Sequence, residues 1–294
     1  WIEKHTHCGS CSPSLCNGDA QRPLALALAL ALALALALAL VPAATPATMS
    51  QKHYLGGLAL ALAEVGADVA VGSLLADEGE PVEGELAYLP GEKELKAVQA
   101  ELEALGVRVL ARGLDVTSDD SVESFHAEVT ETLGPIDILA NAAGITAEQT
   151  VCGHDHSLWQ KVIEVNLNGT YRTCRVVLPS MMERGWGRII NIASTAASVG
   201  AATSGAYCAS KAGVVGLSRC IALEAAAQGV TCNTISPTWV ETDFGRDWMT
   251  NIAEEQESRS GEAYIADARA ANPQQRLIQP SEIGALARYL CSDE

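Results

Sequence analysis

The stretch Gly187-Arg188-Ile189-Ile190-Asn191-Ile192-Ala193-Ser194, followed by Gly205-Ala206-Tyr207-Cys208-Ala209-Ser210-Lys211, sets the pattern for the rest of the chain. Gly187 to Ile192 is a short apolar run of strand type, and residues of about 205–227 form a helical pattern. The same alternation extends outward. Upstream lie a long helix over about 157–184, a strand from Ile136 to Ala140 and a helix ending at Leu133. Thr117-Ser118-Asp119-Asp120 supplies the start of that last helix. Before it come a strand candidate at Val107 to Leu110 and a helix from Glu92 to Leu105 stopped by Gly106. Residues 73–91 read as a long loop, Asp68 to Gly72 as a strand, and Gly57 to Val65 as a helix ending at Gly66. Downstream lie a strand from Val230 to Ile235 and a helix over 281–291. Strands alternating with helices of ten or more residues predict α/β architecture with a parallel sheet. Such sheets bind ligands at the carboxyl ends of their strands, so the turns after 72, 115, 140, 193 and 235 are expected to line the site. No boundary is expected within 56–294.

Within this frame Tyr207 and Lys211 stand four residues apart and project from one helix face. A free tyrosine is a poor acid at neutral pH. A neighbouring ammonium is expected to favour the phenolate and lower its pKa, which suits proton exchange with a substrate oxygen. Such a pair is common in helices by chance, but Ser194 sits thirteen residues before the tyrosine, directly after a strand. Its hydroxyl is placed to bind the same oxygen, or simply to close a turn.

These residues, taken with others in order, resemble the short-chain dehydrogenase/reductase family in its compact form, from about Gly56 to Glu294. Asn141-Ala142-Ala143-Gly144 matches the family's Asn-Asn-Ala-Gly turn, and Asn166 matches its helix asparagine. Ser236-Pro237-Thr238-Trp239-Val240-Glu241-Thr242 matches its Pro-Gly-x-Val-x-Thr segment. The resemblance implies a Rossmann-type doubly wound sheet, NAD or NADP as cofactor and a small carbonyl or alcohol substrate. It implies that Tyr207 gives a proton to the carbonyl oxygen as hydride arrives from the nicotinamide. Lys211 would tune Tyr207 and hold the nicotinamide ribose, Ser194 would orient the carbonyl, and Asn166 would bind a water linking Lys211 to solvent. Asn141, Ala142, Ala143, Gly144, Pro237, Val240 and Thr242 would contact the cofactor. Asp115-Val116 resembles the adenine-contacting pair, or is simply an acid at a helix start. The segment Asn272 to Ile283 is similar to that of 3-oxoacyl-carrier-protein reductases, and a 3-oxoacyl or general carbonyl substrate is expected. A homodimer or homotetramer through the helices near 157–184 and 205–227 follows from the resemblance alone.

The chain departs from the family at its start. The glycine turn Thr-Gly-x-x-x-Gly-x-Gly is mostly absent, and only Gly56 or Gly57 is placed to serve as its last glycine. Upstream, Leu24 to Val41 is an unbroken apolar run of 18 residues, nearly pure Leu-Ala. It reads as a marginal membrane span, a signal-type segment or low-complexity helix. Its end, Leu36 to Val41, is also a candidate for recruitment as the missing first strand. Residues 1–50 are expected to be a low-complexity leader and 51–294 the Rossmann-type domain. The start at Trp1 and the end before the family's last strand suggest a C-terminally truncated fragment. Thr238 replaces a glycine, and Gly72-Ser73-Leu74-Leu75 offers neither the acid that selects NAD nor the arginine that selects NADP. Phe244, Trp248, Met249, Tyr264 and Ile265 are expected to form an apolar lid or to pack as core. Two rival readings follow: a catalytically impaired relative or defective gene product without competent cofactor binding, and a membrane-anchored reductase.

Bulk properties narrow the choices. A net charge of −17 and a pI near 4.7 argue against nucleic acid as a partner. They do not exclude an anionic cofactor, which main-chain N–H groups at a helix start can hold. The chain has nine cysteines, and those from Cys152 onward are scattered without metal-ligand spacing, which suits a reducing cytoplasm. His5, His7, Cys8, Cys11 and Cys16 include a pair of zinc-binding type, but no second pair follows, so no metal is expected.

Overall fold

The computed structural model describes residues 54–76, 85–86, 89–255 and 259–293. In chain order the elements begin with α1 (Tyr54–Ala63), β1 (Val69–Ser73), β2 (Glu85–Leu86), α2 (Glu92–Glu103), β3 (Val109–Gly113) and α3 (Asp119–Thr132). Next come β4 (Ile138–Asn141), β5 (Thr146–Ala147), α4 (His156–Ile163), a π-helical turn (Glu164–Asn168), α5 (Gly169–Arg184) and β6 (Gly187–Ile192). The chain continues through the short α6 (Ala196–Val199), α7 (Gly205–Ala225), β7 (Val230–Ile235), α8 (Asp243–Glu255), α9 (Gly261–Ala271) and α10 (Pro280–Cys291). Helix stops fall where glycine permits them: Gly66 and Gly106 both have φ near +86°. Ser118 caps α3 by accepting a hydrogen bond from Ser121 N.

β4, β6 and β7 form a parallel sheet in that order, with Ile138 opposite Arg188 and Gly187 opposite Val230. β1 and β3 form a second parallel pair, and β2 with β5 a small antiparallel one. β6 shows why helices cover both faces. Ile190 and Ile192 pack with Leu58 of α1 and Ile283 and Ala287 of α10. Ile189 points the other way, to Val177 and Met181 of α5 and Ile221 of α7. Strand alternation thus assigns successive isoleucines to opposite layers. This is the doubly wound α/β arrangement of Rossmann type.

α1 ties the two parallel sheets together. Leu58 enters the core beside β6 and β7, whereas Ala59 and Ala63 pack on Val69 and Val71 of β1. After Tyr54, α1 consists only of Leu, Gly and Ala, apolar on every face as a helix buried on several sides requires. Among the described residues no strand joins the two sheets. The run Leu36 to Val41, expected to supply one, lies outside the described residues, as do the leader, the Leu-Ala segment and the Cys8–Cys11 pair. Among the described residues no helix is long and apolar enough to cross a membrane, and no cluster of metal-binding type occurs.

Two expectations need correction, and a third, open between lid and core, falls on the side of core. The helix expected over 157–184 is broken by a π-helical turn centred on Asn166, because that side chain bonds across to another segment. The strand expected at 107–110 begins at Val109, since Arg108 is occupied at the sheet end with Asp68, its main-chain N–H reaching the carboxylate at 2.8 Å. The region after Thr242 holds two full helices, α8 and α9, around a core of Met249, Ile265, Ala268 and Leu277. Met249 and Ile265 are therefore core residues, with Trp239, Trp248 and Tyr264 packed around them.

Candidate active site

The site forms where β4 and β6 end and α7 begins. β6 runs into Ser194, and α7 carries Tyr207 and Lys211 on the face turned toward it. The Ser194 hydroxyl hydrogen-bonds Tyr207 and accepts from Ala196 N at 3.1 Å. Lys211 is buried and donates to the carbonyl of Ile192 at 2.8 Å, with its Nζ 5.7 Å from the Tyr207 ring centre. The three residues anticipated from spacing are brought together.

Their electrostatics differ from expectation. Burial pushes the Tyr207 phenol above its ordinary value. The Ser194 hydrogen bond pulls it down, and the nearby Cys208 and Glu148 push it further up. Burial also drives the Lys211 ammonium down to about 8. Burial is the largest influence on the Tyr207 phenol. The lysine's charge is spent on the Ile192 carbonyl, and both groups are disfavoured in their ionised forms by loss of water.

Asn166 is wholly buried, and its amide is fully engaged. Its Oδ1 accepts from Ile145 N at 2.8 Å, and its Nδ2 donates to Ile145 O at 2.9 Å and to Ser210 Oγ at 3.0 Å. The π-helical turn gives the side chain its reach, a frequent use of such turns. Through these bonds Asn166 fixes the segment after β4 against α7, one residue from Lys211. Gly144 lies in that segment. A Cβ there would come within 3.3 Å of Lys211 Nζ and 3.4 Å of Asn166 Oδ1, so the glycine leaves bare main chain facing the lysine.

The remaining anticipated residues divide. Ala142 packs on the core beside Leu58, and Ala143 and Gly144 are exposed at the strand end. Asn141 is tied down rather than open. It donates to Asn191 Oδ1 at 2.8 Å and accepts from Thr173 Oγ1 at 2.7 Å, linking β4, β6 and α5. Val240 is core, and Thr242 Oγ1 accepts from Gly245 N at 2.9 Å, closing the start of α8. Pro237 holds its loop to the site, its carbonyl accepting from Thr195 N at 3.1 Å. Asp115 Oδ1 accepts from Thr117 N and Thr117 Oγ1 at 2.8 and 2.7 Å, the arrangement of an acid ahead of a helix start. Val116 packs against Gly169, where a Cβ would meet it at 2.7 Å. Gly56 and Gly57 lie in the first turns of α1, not in a glycine turn before it. Gly57 is a packing glycine: a Cβ there would strike Pro280 at 2.9 Å.

Three participants escaped the sequence reading. Asn191 is wholly buried and donates to Ser218 Oγ at 2.8 Å, and a polar residue at an inward position of an apolar strand was the signal for it. Ser210 accepts from Asn166 Nδ2 and donates to the Tyr207 carbonyl at 2.7 Å, so it ties the asparagine to the turn of α7 that carries the phenol. Glu148 meets Ser204 Oγ at 2.6 Å, and nothing in sequence links residues that far apart.

Comparison with known proteins follows the same lines. The family model for short chain dehydrogenase matches residues 59–253. Nodulation protein G of Azospirillum brasilense is 37% identical, over 70% of this chain and 78% of that protein. The acetoacetyl-CoA reductase of Allochromatium vinosum is 41% identical, over 61% and 68%. The 3-oxoacyl-acyl-carrier-protein reductase of Vibrio cholerae is 33% identical, over 76% and 85%. Among solved structures, an actinorhodin polyketide ketoreductase variant with NADPH superposes with a TM-score of 0.72 at 34% identity, covering 81% of this chain and 86% of that one. A match across well over half the chain, together with these relatives, makes this protein a member of the short chain dehydrogenase family, similar to 3-oxoacyl reductases.

Proposed function

We propose that this chain reduces a 3-oxoacyl-type carbonyl to the secondary alcohol, with Tyr207 as the proton donor. As a family member it is an oxidoreductase acting on the carbonyl and CH–OH pair with NAD or NADP. The observation that carries the assignment of roles is the convergence of Ser194, Tyr207 and Lys211 at the end of β6. A phenol kept protonated by burial is the right species to donate a proton to an oxygen gaining negative charge. Ser194, hydrogen-bonded to that phenol, orients the carbonyl oxygen against it. Lys211 supplies positive charge beneath the pair.

The residues present fit a nicotinamide cofactor at its reactive end. Ala143 and Gly144 offer bare main chain at the end of β4, and the absence of a side chain at Gly144 keeps the approach to Lys211 open. When bound, the cofactor supplies hydride. At the phosphate end Gly56 lies in the first turn of α1, and a helix start is where main-chain N–H groups suit an anion. The names of relatives, acetoacetyl-CoA reductase and 3-oxoacyl-acyl-carrier-protein reductase, support an acyl thioester substrate. A cytoplasmic homodimer or homotetramer belongs to the same proposal. Tyr171 on α5 and Leu223 on α7 are both exposed, 50% and 84%, on the helices expected to meet a second copy.

The experiment is oxidation of NADPH and NADH by the purified chain with acetoacetyl-CoA, against a simple ketone. Turnover with the thioester is expected. Binding of neither cofactor, read by tryptophan fluorescence, would instead favour the catalytically impaired reading.

A further inference from the structure

The turn that leads into α7 is held in an unusual way. Thr203 has φ +64°, a left-handed backbone that a β-branched residue rarely adopts. Such strain persists only where surrounding contacts fix it. Two of those contacts come from the loop after β5. Gln149 N donates to the Thr203 carbonyl at 2.8 Å. Glu148 Oε2 accepts from Ser204 Oγ at 2.6 Å and lies 3.1 Å from Thr203 Oγ1, while its Oε1 accepts from Thr146 Oγ1 at 3.1 Å. Ser204 occupies the N-cap position of α7 but makes no side-chain cap; its hydroxyl donates to Glu148. Tyr207 follows three residues later.

We propose that Glu148 is a positioning residue for Tyr207, fixing the Thr203–Ser204 turn and so the point at which α7 presents the phenol to Ser194. The inference rests on the reading of Tyr207 as proton donor. Glu148 also places a negative charge near the phenol. The other ionisable groups facing Tyr207 are Cys208 and Lys211 on α7 itself, and from β6 Ser194 contributes only a hydroxyl. The clamp and the charge therefore act together to keep the phenol placed and protonated.

Two substitutions separate these effects. Glu148→Ala removes both, whereas Glu148→Gln keeps an oxygen acceptor of the same reach and removes the charge. With acetoacetyl-CoA and NADPH, Glu148→Ala should lower kcat about 10- to 100-fold, as small misplacement of a reacting group does. The KM for NADPH should stay within about twofold, and Glu148→Gln should recover most of kcat. In Glu148→Gln the alkaline fall in reduction rate should begin at lower pH, because loss of a like charge eases ionisation of the phenol. The same shift can be read without turnover, by titrating tyrosinate absorbance in native protein, Glu148→Gln, and each of these with Tyr207→Phe. The tyrosine lost with Tyr207→Phe should ionise at lower pH when Glu148 is replaced by Gln. Native kcat in Glu148→Ala, or an unmoved Tyr207 titration, overturns the proposal. Failure of the Tyr207 reading itself would appear separately, as native turnover in Tyr207→Phe alone.

Discussion

Lys211 shows what the site costs the fold. Its ammonium is buried against one carbonyl, and burial brings it down to about 8 from an ordinary 10.5. Because the folded value lies below the ordinary one, the unfolded chain binds more protons between about pH 8 and 10.5. The destabilisation is therefore full below pH 8 and fades as pH rises through that window, by up to about 3 kcal/mol. Lys211→Met is expected to abolish reduction yet raise the thermal midpoint at pH 7, with the advantage shrinking as pH rises from about 8 to 10.5; thermal melts across pH measure it. Tyr207→Phe should lower reduction by about 10²- to 10⁴-fold with the fold intact, measured by cofactor oxidation. That Ser194, Tyr207 and Lys211 come together was legible because helix spacing and strand ends are local signals, whereas Asn166 was singled out only through the family resemblance. The ionisation of Tyr207 was not legible, because it depends on how much water three separate elements exclude.

At the scale of elements, the break in the helix at Asn166 joins sequence to site. An asparagine among Val165, Leu167 and other apolar neighbours signals a buried polar partner, but not that the helix widens by a π-helical turn to reach it. Asn166→Ala leaves the N–H and C=O of Ile145 without partners. It is expected to lower stability by about 2–4 kcal/mol in urea unfolding. The α1–α10 crossing is equally specific. Gly57 would place a Cβ 2.9 Å from the Pro280 carbonyl oxygen, and Gly284 one 2.6 Å from the Gly57 carbonyl oxygen. Gly57→Ala should therefore force the helices apart and cost about 1–3 kcal/mol, read by denaturant midpoint. In the sequence Gly57 looked like the remnant of a phosphate turn. Its packing role depends on Pro280, more than two hundred residues later, and no local pattern carries that.

For the molecule as a whole, the alternation of strands and helices was enough to place the parallel strands and the helices between them. β6 ends at Ile192 and β7 at Ile235, close to where the sequence put them, because Ile189, Ile190 and Ile192 of β6 and Val230, Cys232 and Ile235 of β7 are apolar residues the core buries. The helices α8 and α9 were harder to read. Their apolar residues Met249, Ile265 and Ala268 are few and bury a small separate core. The same division runs through the function. In the proposed reading, proton chemistry falls to Ser194 just after β6 and to Tyr207 and Lys211 on α7. In the same reading the grip on the cofactor's phosphates falls to the start of α1, where the usual glycines are missing.

The measurement that bears most directly on this account is transfer of deuterium from a nicotinamide-deuterated cofactor to a 3-oxoacyl thioester, in native protein and in Tyr207→Phe. The account predicts label on the new hydroxyl-bearing carbon with native protein. In the variant, transfer should slow by about 10²-fold or more while cofactor binding, read by tryptophan fluorescence, is kept. Native-rate transfer by Tyr207→Phe, or no transfer by native protein that binds the cofactor, would contradict it.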